Sequence, residues 1–112
     1  MKEVILDTSF VITALKEKID FFDEIESMGI DVVVPQQTLD ELKALGSNLG
    51  LAVLKKHKFK LIKISGENAD AAIINYSREN PNVIIASLDK ALQKKTKRHR
   101  MVIRARKKIE VI

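Results

Sequence analysis

Five short apolar runs, separated each time by a longer stretch with helical spacing, constrain this chain of 112 residues more than any other feature. The runs are Val4-Ile5-Leu6, Val32-Val33-Val34, Leu61-Ile62, Val83-Ile84-Ile85-Ala86 and Met101-Val102-Ile103. They are mostly β-branched and do not alternate with polar residues until the last one, as strands buried on both faces should read. Between them lie Phe10 to Met28 in one or two pieces, Gln37 to Leu45, Leu49 to His57, Ala69 to Arg78 and Lys90 to Lys97, each with helical periodicity. Alternating strands and helices imply parallel neighbours joined by right-handed crossovers. The expected fold is α/β, a three-layer α/β/α sandwich with a central parallel sheet of about five strands. Gly29, Pro35, Gly46-Ser47-Asn48, Gly66 and Pro81 punctuate the elements, and no linker or repeat divides residues 1–112, which reads as a single domain.

The last run differs. In Arg100 to Arg106, Met101, Ile103 and Ala105 fall on one face, with Arg100, Val102, Arg104 and Arg106 on the other. This predicts an edge strand with a wet, basic face, where charge also guards against edge-to-edge association.

A hydrophobic content of 46% with 31% charged residues excludes a disordered chain, and aromatics at 4% make the core aliphatic. No apolar run approaches the roughly 20 residues that span a bilayer, and an acid interrupts the N-terminal apolar run, so a cytoplasmic location is expected. The absence of cysteine excludes disulfides, thiolate metal sites and cysteine nucleophiles. The net charge of +5 is unevenly spread: nine Lys or Arg and no acid lie between Lys94 and Lys108. A basic end of this kind suits a polyanionic partner, nucleic acid above all, though solubility alone would also explain it.

The chemistry rests on carboxylates. In an open α/β sheet, ligands sit beyond the carboxyl ends of the strands, where strand order reverses. Asp7 follows the first strand in VILDTS, and Asp89 follows the fourth in VIIASLD, so two acids reach one rim. Glu41, in PQQTLDELKAL, lies off the apolar stripe of its helix. Asp70, in GENADAAIINYS, shares a helical face with Ile73, Ile74 and Ser77. Each acid also has a structural explanation: helix caps for Asp7 and Asp89, a favourable first-turn position for Asp70, an exposed surface for Glu41. Thr8, Ser9 and Ser87 would cap equally well, so capping does not explain why acids recur. Two carboxylates about 4 Å apart repel by roughly 4 kcal/mol at an effective dielectric of about 20, so a cluster needs a cation. Oxygen ligands suit magnesium or manganese over zinc, and the two histidines, His57 and His99, lie in basic runs and read as surface residues.

At these residues the chain resembles the PIN-domain ribonucleases. ILDTS, VPQQTLDEL, NADAAI and ASLDKAL occur in the order and spacing of that family, across nearly the whole chain. The resemblance implies a PIN-like fold and a magnesium or manganese site whose metal-binding and catalytic acids are Asp7, Glu41, Asp70 and Asp89, with Thr8 and Ser87 as supporting hydroxyls. It implies endonucleolytic cleavage of single-stranded RNA; for such an enzyme the basic run, through Lys94, Lys95, Lys97, Arg98, Arg100, Arg104 and Arg106, is expected to contact phosphates. Ser9 stands where the family often has asparagine, Ala71 where it often has a further acid, and Ser87 where threonine is frequent. The compact length is similar to archaeal or bacterial members, both the ribosomal RNA-processing kind and VapC-like toxin nucleases, so a ribosome-assembly factor or an antitoxin is an expected partner. A homodimer or higher homo-oligomer through Phe21, Phe22, Leu49 and Leu51 is a further expectation.

Two other classes compete. A non-catalytic RNA-binding or assembly module would keep the fold and the basic surface. A haloacid dehalogenase-type phosphatase needs a second Asp two residues after the first, where this chain has Ser9, and no glycine-rich phosphate loop is present.

Overall fold

The computed structural model describes residues 2–105 and 107–112. Six strands form one sheet: β1 (Glu3–Leu6), β2 (Asp31–Pro35), β3 (Lys60–Ile62), β4 (Ile84–Ala86), β5 (Arg100–Arg104) and β6 (Lys108–Val111). Between them run α1 (Thr8–Lys16), α2 (Phe21–Ser27), α3 (Gln36–Ala44), α4 (Asn48–Lys56), α5 (Ala69–Glu79) and α6 (Lys90–Thr96). The strand order is β3-β2-β1-β4-β5-β6. The first five strands are parallel, as their crossovers require, and β6 returns antiparallel to β5.

This corrects the expectation of an edge strand over Arg100 to Arg106. A sixth strand, in KKIEVI, pairs with β5 from Met101↔Val111 to Arg104↔Lys108, so β5 is internal and β6 is the edge. Ala105 lies in the turn, where Lys107 adopts a left-handed φ of 59°. The hairpin was hidden because Ile109-Glu110-Val111 is too short to stand out as a strand without its partner.

Alternation along each central strand divides the core. Val4 and Leu6 of β1, Val32 and Val34 of β2, and Ile84 and Ala86 of β4 pack with Phe10, Ile25, Leu42 and Leu54 on one face. Ile5, Val33 and Ile85 point the other way, onto Ile73, Tyr76 and Leu92 of α5 and α6. Both faces of the strands are thus covered, which is why their sequences do not alternate. Phe21 and Phe22 belong to the first of these clusters, with Phe10 meeting Phe21 edge-on at 5.8 Å. Core packing therefore accounts for two of the residues expected at an oligomer interface, and Leu51 packs half-buried against the same cluster. Leu49 is exposed at 64%, close in sequence to Leu45 at 66%.

The reversal of strand order lies between β1 and β4: the chain builds outward from β1 to β3 on one side and from β4 to β6 on the other. The carboxyl ends of these two neighbours open onto a crevice, and Asp7 and Ser87-Leu88-Asp89 are the residues that follow them.

Candidate active site

Asp7 is 3% exposed, at the end of β1 and the start of α1. Burial pushes its carboxyl above the ordinary range, against the pull of the hydroxyls and amide that solvate it. Its Oδ2 accepts from Ser87 Oγ at 2.7 Å and Ser9 Oγ at 2.9 Å, and its Oδ1 accepts from the Thr8 amide at 2.9 Å. Asp7 does cap α1, but a cap would not need a further hydroxyl from Ser87, which follows β4 across the crevice.

Ser87, fully buried, ties the two strand ends together. Besides donating to Asp7, its Oγ accepts from the Asp89 amide at 3.0 Å. Asp89 caps α6, with Oδ1 accepting from the Ala91 and Leu92 amides at 2.9 and 3.3 Å. Ser9 works on the same loop, its Oγ accepting from the Leu88 amide at 3.2 Å.

Glu41 reaches the rim from the second turn of α3. That helix is fixed to β1 by Thr38, whose buried Oγ1 donates to the Leu6 carbonyl at 3.0 Å. Glu41 Oε1 accepts from Thr8 Oγ1 at 2.8 Å and Oε2 from the Ala69 amide at 2.6 Å. A carboxylate at the amino end of α5 is also favoured by the helix dipole.

Asp70 is the fourth acid, in the first turn of α5, where Asn68 supplies the cap by accepting from the Ala71 amide at 2.9 Å. Its carboxyl is pushed up to about 6, first by desolvation, then by the charges of Asp7 and Asp89, a hydrogen bond with Asp89, and the charge of Glu41. All three other acids therefore act on Asp70 through space.

The four do not converge to ligand distance. Among the described residues, the group whose ligand atoms all lie within 4.8 Å of one another is Asp20, Asp23 and His57, at the amino rim beside Phe22. Asp7, Glu41 and Asp89 are instead each held by their own donors, and Asp70 shares a hydrogen bond with Asp89.

Two expected supporting hydroxyls are in place: Ser87 on Asp7 and Thr8 on Glu41. Ser9, which the sequence offers as a helix cap and as a departure from the family's asparagine, is a further partner of Asp7. Gln37 was missed; its amide donates to the Ile64 and Gly66 carbonyls at 2.7 and 2.9 Å and fixes the loop that delivers Asp70. Gly66 does more than punctuate: a Cβ there would lie 2.6 Å from the Ala72 amide of α5. No sequence signal marks Gln37, since its contact is 27 residues away.

The basic residues are not equivalent. Lys94 and Lys95 are exposed on α6, and Lys97 ends it in a left-handed conformation. Arg98 donates to the Ser77 carbonyl at 2.9 Å and Arg100 to Gln93 Oε1 at 2.8 Å. Arg104 is engaged with Glu110 across the β5–β6 hairpin at 2.8 Å. Arg106 lies outside the described residues.

A model of the PIN-like domain matches residues 4–108. The chain belongs to the PIN-like domain family. It is 33% identical to ribonuclease VapC4 of Methanocaldococcus jannaschii, with 99% of this chain and 97% of that protein covered. Its fold is similar to the PIN domain endonuclease Utp24, with a TM-score of 0.85 at 23% identity over 97% of this chain and 90% of that one. The second likeness carries the fold alone. No described helix is long and apolar enough to cross a membrane.

Proposed function

We propose that residues 1–112 act as one domain, a cytoplasmic metal-dependent endoribonuclease cleaving single-stranded RNA at the rim formed by Asp7, Glu41, Asp70 and Asp89. The observation that carries this reading is the bridging at the carboxyl rim, where Ser87 donates to Asp7 across two strand ends and Glu41 accepts from Thr8 Oγ1 and the Ala69 amide, so that acids from separate segments share one crevice. The ribonuclease name of the VapC4 relative, aligned over almost all of both chains, supports the class of reaction.

The donor set fits a hard divalent cation: four carboxylates, with neither histidine nor cysteine among them, which favours magnesium or manganese. When bound, such an ion supplies an activated water and neutralises charge on the phosphodiester. The residues of the chain do the rest. Ser87, Ser9 and the Thr8 amide fix both oxygens of Asp7, while Thr8 Oγ1 and the Ala69 amide fix both of Glu41, so neither needs to reorganise when a substrate arrives. Asp89 keeps Oδ1 on the Ala91 and Leu92 amides of its helix. Asp70 has no such set of donors and shares a hydrogen bond with Asp89.

The partners follow from the same reading. Single-stranded RNA is the substrate. The physiological role is RNA processing, with a ribosome-assembly factor as the expected partner. The VapC name favours a second reading, a toxin ribonuclease held by an antitoxin. Leu45 and Leu49, exposed at 66% and 64%, are the apolar side chains a second copy of the chain would cover, which sedimentation would detect.

Cleavage of an end-labelled single-stranded RNA with magnesium or manganese tests the proposal, comparing wild type with Asp7→Asn and Asp89→Asn. Metal-dependent cleavage lost in both variants supports it. RNA bound equally by all three proteins and cut by none would make the chain a binding module.

A further inference from the structure

We propose that a groove along α6, beside the acid rim, anchors backbone phosphates of the RNA strand; this rests on the nuclease reading above. The groove has a volume of about 370 Å³ and is lined by Lys90, Gln93, Lys94, Lys97, Arg98 and Arg100. Five of these six residues are cations and none is an acid, so in isolation they repel one another and a polyanion relieves them.

Three features point to a ligand and away from an ordinary solvated face. Arg98 is held in place by its bond to the Ser77 carbonyl, yet its buried Nε has no hydrogen-bond partner among the described residues. That nitrogen is shielded from solvent, so what Arg98 offers a phosphate is the fixed charge of its guanidinium in the groove wall. Lys97 lines the groove from a left-handed conformation, φ 51° and ψ 40°, at a helix end where glycine or asparagine would be easier. Lysines 90, 94 and 97 recur at spacings of four and three, which puts them along one side of α6.

The groove is also connected to the acids. Gln93, in its wall, accepts from Arg100 through Oε1 and donates through Nε2 to the Ser87 carbonyl at 2.7 Å. Ser87 in turn holds Asp7. Lys90 follows Asp89 directly, so the groove leads away from the rim for the length of α6, about 10 Å. That length accommodates more than one phosphate of an extended strand. No aromatic residue lines it, so the contact reads the backbone and carries no base preference.

The test measures binding of a fluorescently labelled 12-nucleotide single-stranded RNA by anisotropy across a salt series, with chelator present so that binding is read apart from cleavage. Wild type is compared with Lys94→Gln/Lys97→Gln and with Lys55→Gln/Lys56→Gln, which removes the same charge from the exposed end of α4. All three should share one circular dichroism spectrum, since each substituted lysine is exposed. The groove variant should bind about tenfold more weakly at low salt and lose about 1 to 1.5 from the slope of log affinity against log salt, as expected for two phosphate contacts. The α4 variant should stay within about twofold of wild type. Equal losses in both variants would reduce the effect to net charge and overturn the groove. A groove variant that binds as wild type, while wild type cleaves the same RNA with manganese, would overturn the groove and leave the nuclease standing. Weakened binding in the groove variant with no cleavage by wild type would do the reverse.

Discussion

Two groups of metal-capable side chains lie at opposite rims of the sheet, and they differ in an instructive way. At the amino rim, Asp20, Asp23 and His57 bring ligand atoms within 4.8 Å of one another, yet both aspartates are exposed. Asp23 is pushed up by hydrogen bonding with Asp20 and by its charge, and His57 stacks on Phe22 at 4.5 Å. Asp20 stands at the cap position of α2 without making a cap hydrogen bond. At the carboxyl rim, four acids stand further apart, but each comes from a different segment and three of them are anchored by two or more donors or helix amides. Closeness in one conformation is cheap on a wet surface, where side chains rearrange freely. Orientation held by buried partners is what a reaction requires.

The largest effect should separate the rims outright. Asp7→Asn keeps the size of the side chain and removes its charge, and cleavage should fall at least about 100-fold, in line with the loss of a charge aimed at the reacting centre. Asp20→Asn and His57→Gln should leave the rate within about twofold. A rate measured under single-turnover conditions that falls as far in Asp20→Asn as in Asp7→Asn would break the comparison, because the amino rim would then belong to the reaction.

The next effect sharpens it by leaving every acid in place. Ser87→Ala removes a donor to Asp7 and an acceptor for the Asp89 amide while adding no bulk to a fully buried site. Partners of this outer kind typically contribute about 10- to 100-fold, so cleavage should fall about tenfold, with metal affinity falling alongside it. Unchanged titration of manganese by calorimetry would show that Asp7 is oriented well enough by Ser9 and Thr8 alone. Gly66→Ala acts at greater range. The added carbon meets the Ala72 amide at 2.6 Å, backbone in place of a flexible side chain, and φ at 152° disfavours any side chain. The start of α5 must move, carrying Asp70 with it; the melting temperature should drop by about 4 to 8 °C, equivalent to about 1 kcal/mol in a domain of this size.

How much of this was legible in the sequence depends on the range of each cause. The five parallel strands and the helices between them follow from local periodicity and two-sided burial, with Phe10 to Met28 left as one or two pieces, while the strand order is seen only in the folded chain. The sixth strand does not, because Lys108–Val111 is a strand only by virtue of β5 beside it. The acids at Asp7 and Asp89 were visible as apolar runs ending in carboxylates. Glu41 and Asp70 were visible as candidates whose role periodicity left open, since nothing in a helical pattern says that Glu41 will meet the Ala69 amide 28 residues on. Ser9, Gln37, Gly66 and Gln93 act across gaps of 6 to 79 residues, on backbone groups whose positions exist only in the folded chain. Periodicity is silent about such contacts.

The smallest effect concerns charge at the carboxyl rim and carries its own sign. Asp70, held at about 6 against an ordinary 3.8, keeps its proton in the folded chain over a range where the unfolded chain has lost it. Between about pH 4 and 6 the folded state therefore binds more protons, and stability falls as pH rises through that window. Asp70→Asn removes the titration. With chelator present, its melting temperature should match wild type below about pH 4 and exceed it by about 2 to 4 °C above about pH 6, a modest gain because Asp70 is only part-buried and solvent screens much of the repulsion. Asp23→Asn at the amino rim, where both aspartates are exposed, should shift far less over the same range. Melting curves for wild type and Asp70→Asn that run parallel from pH 4 to 7 would mean that the four carboxylates do not sense one another, and the carboxyl rim would lose the property that distinguishes it.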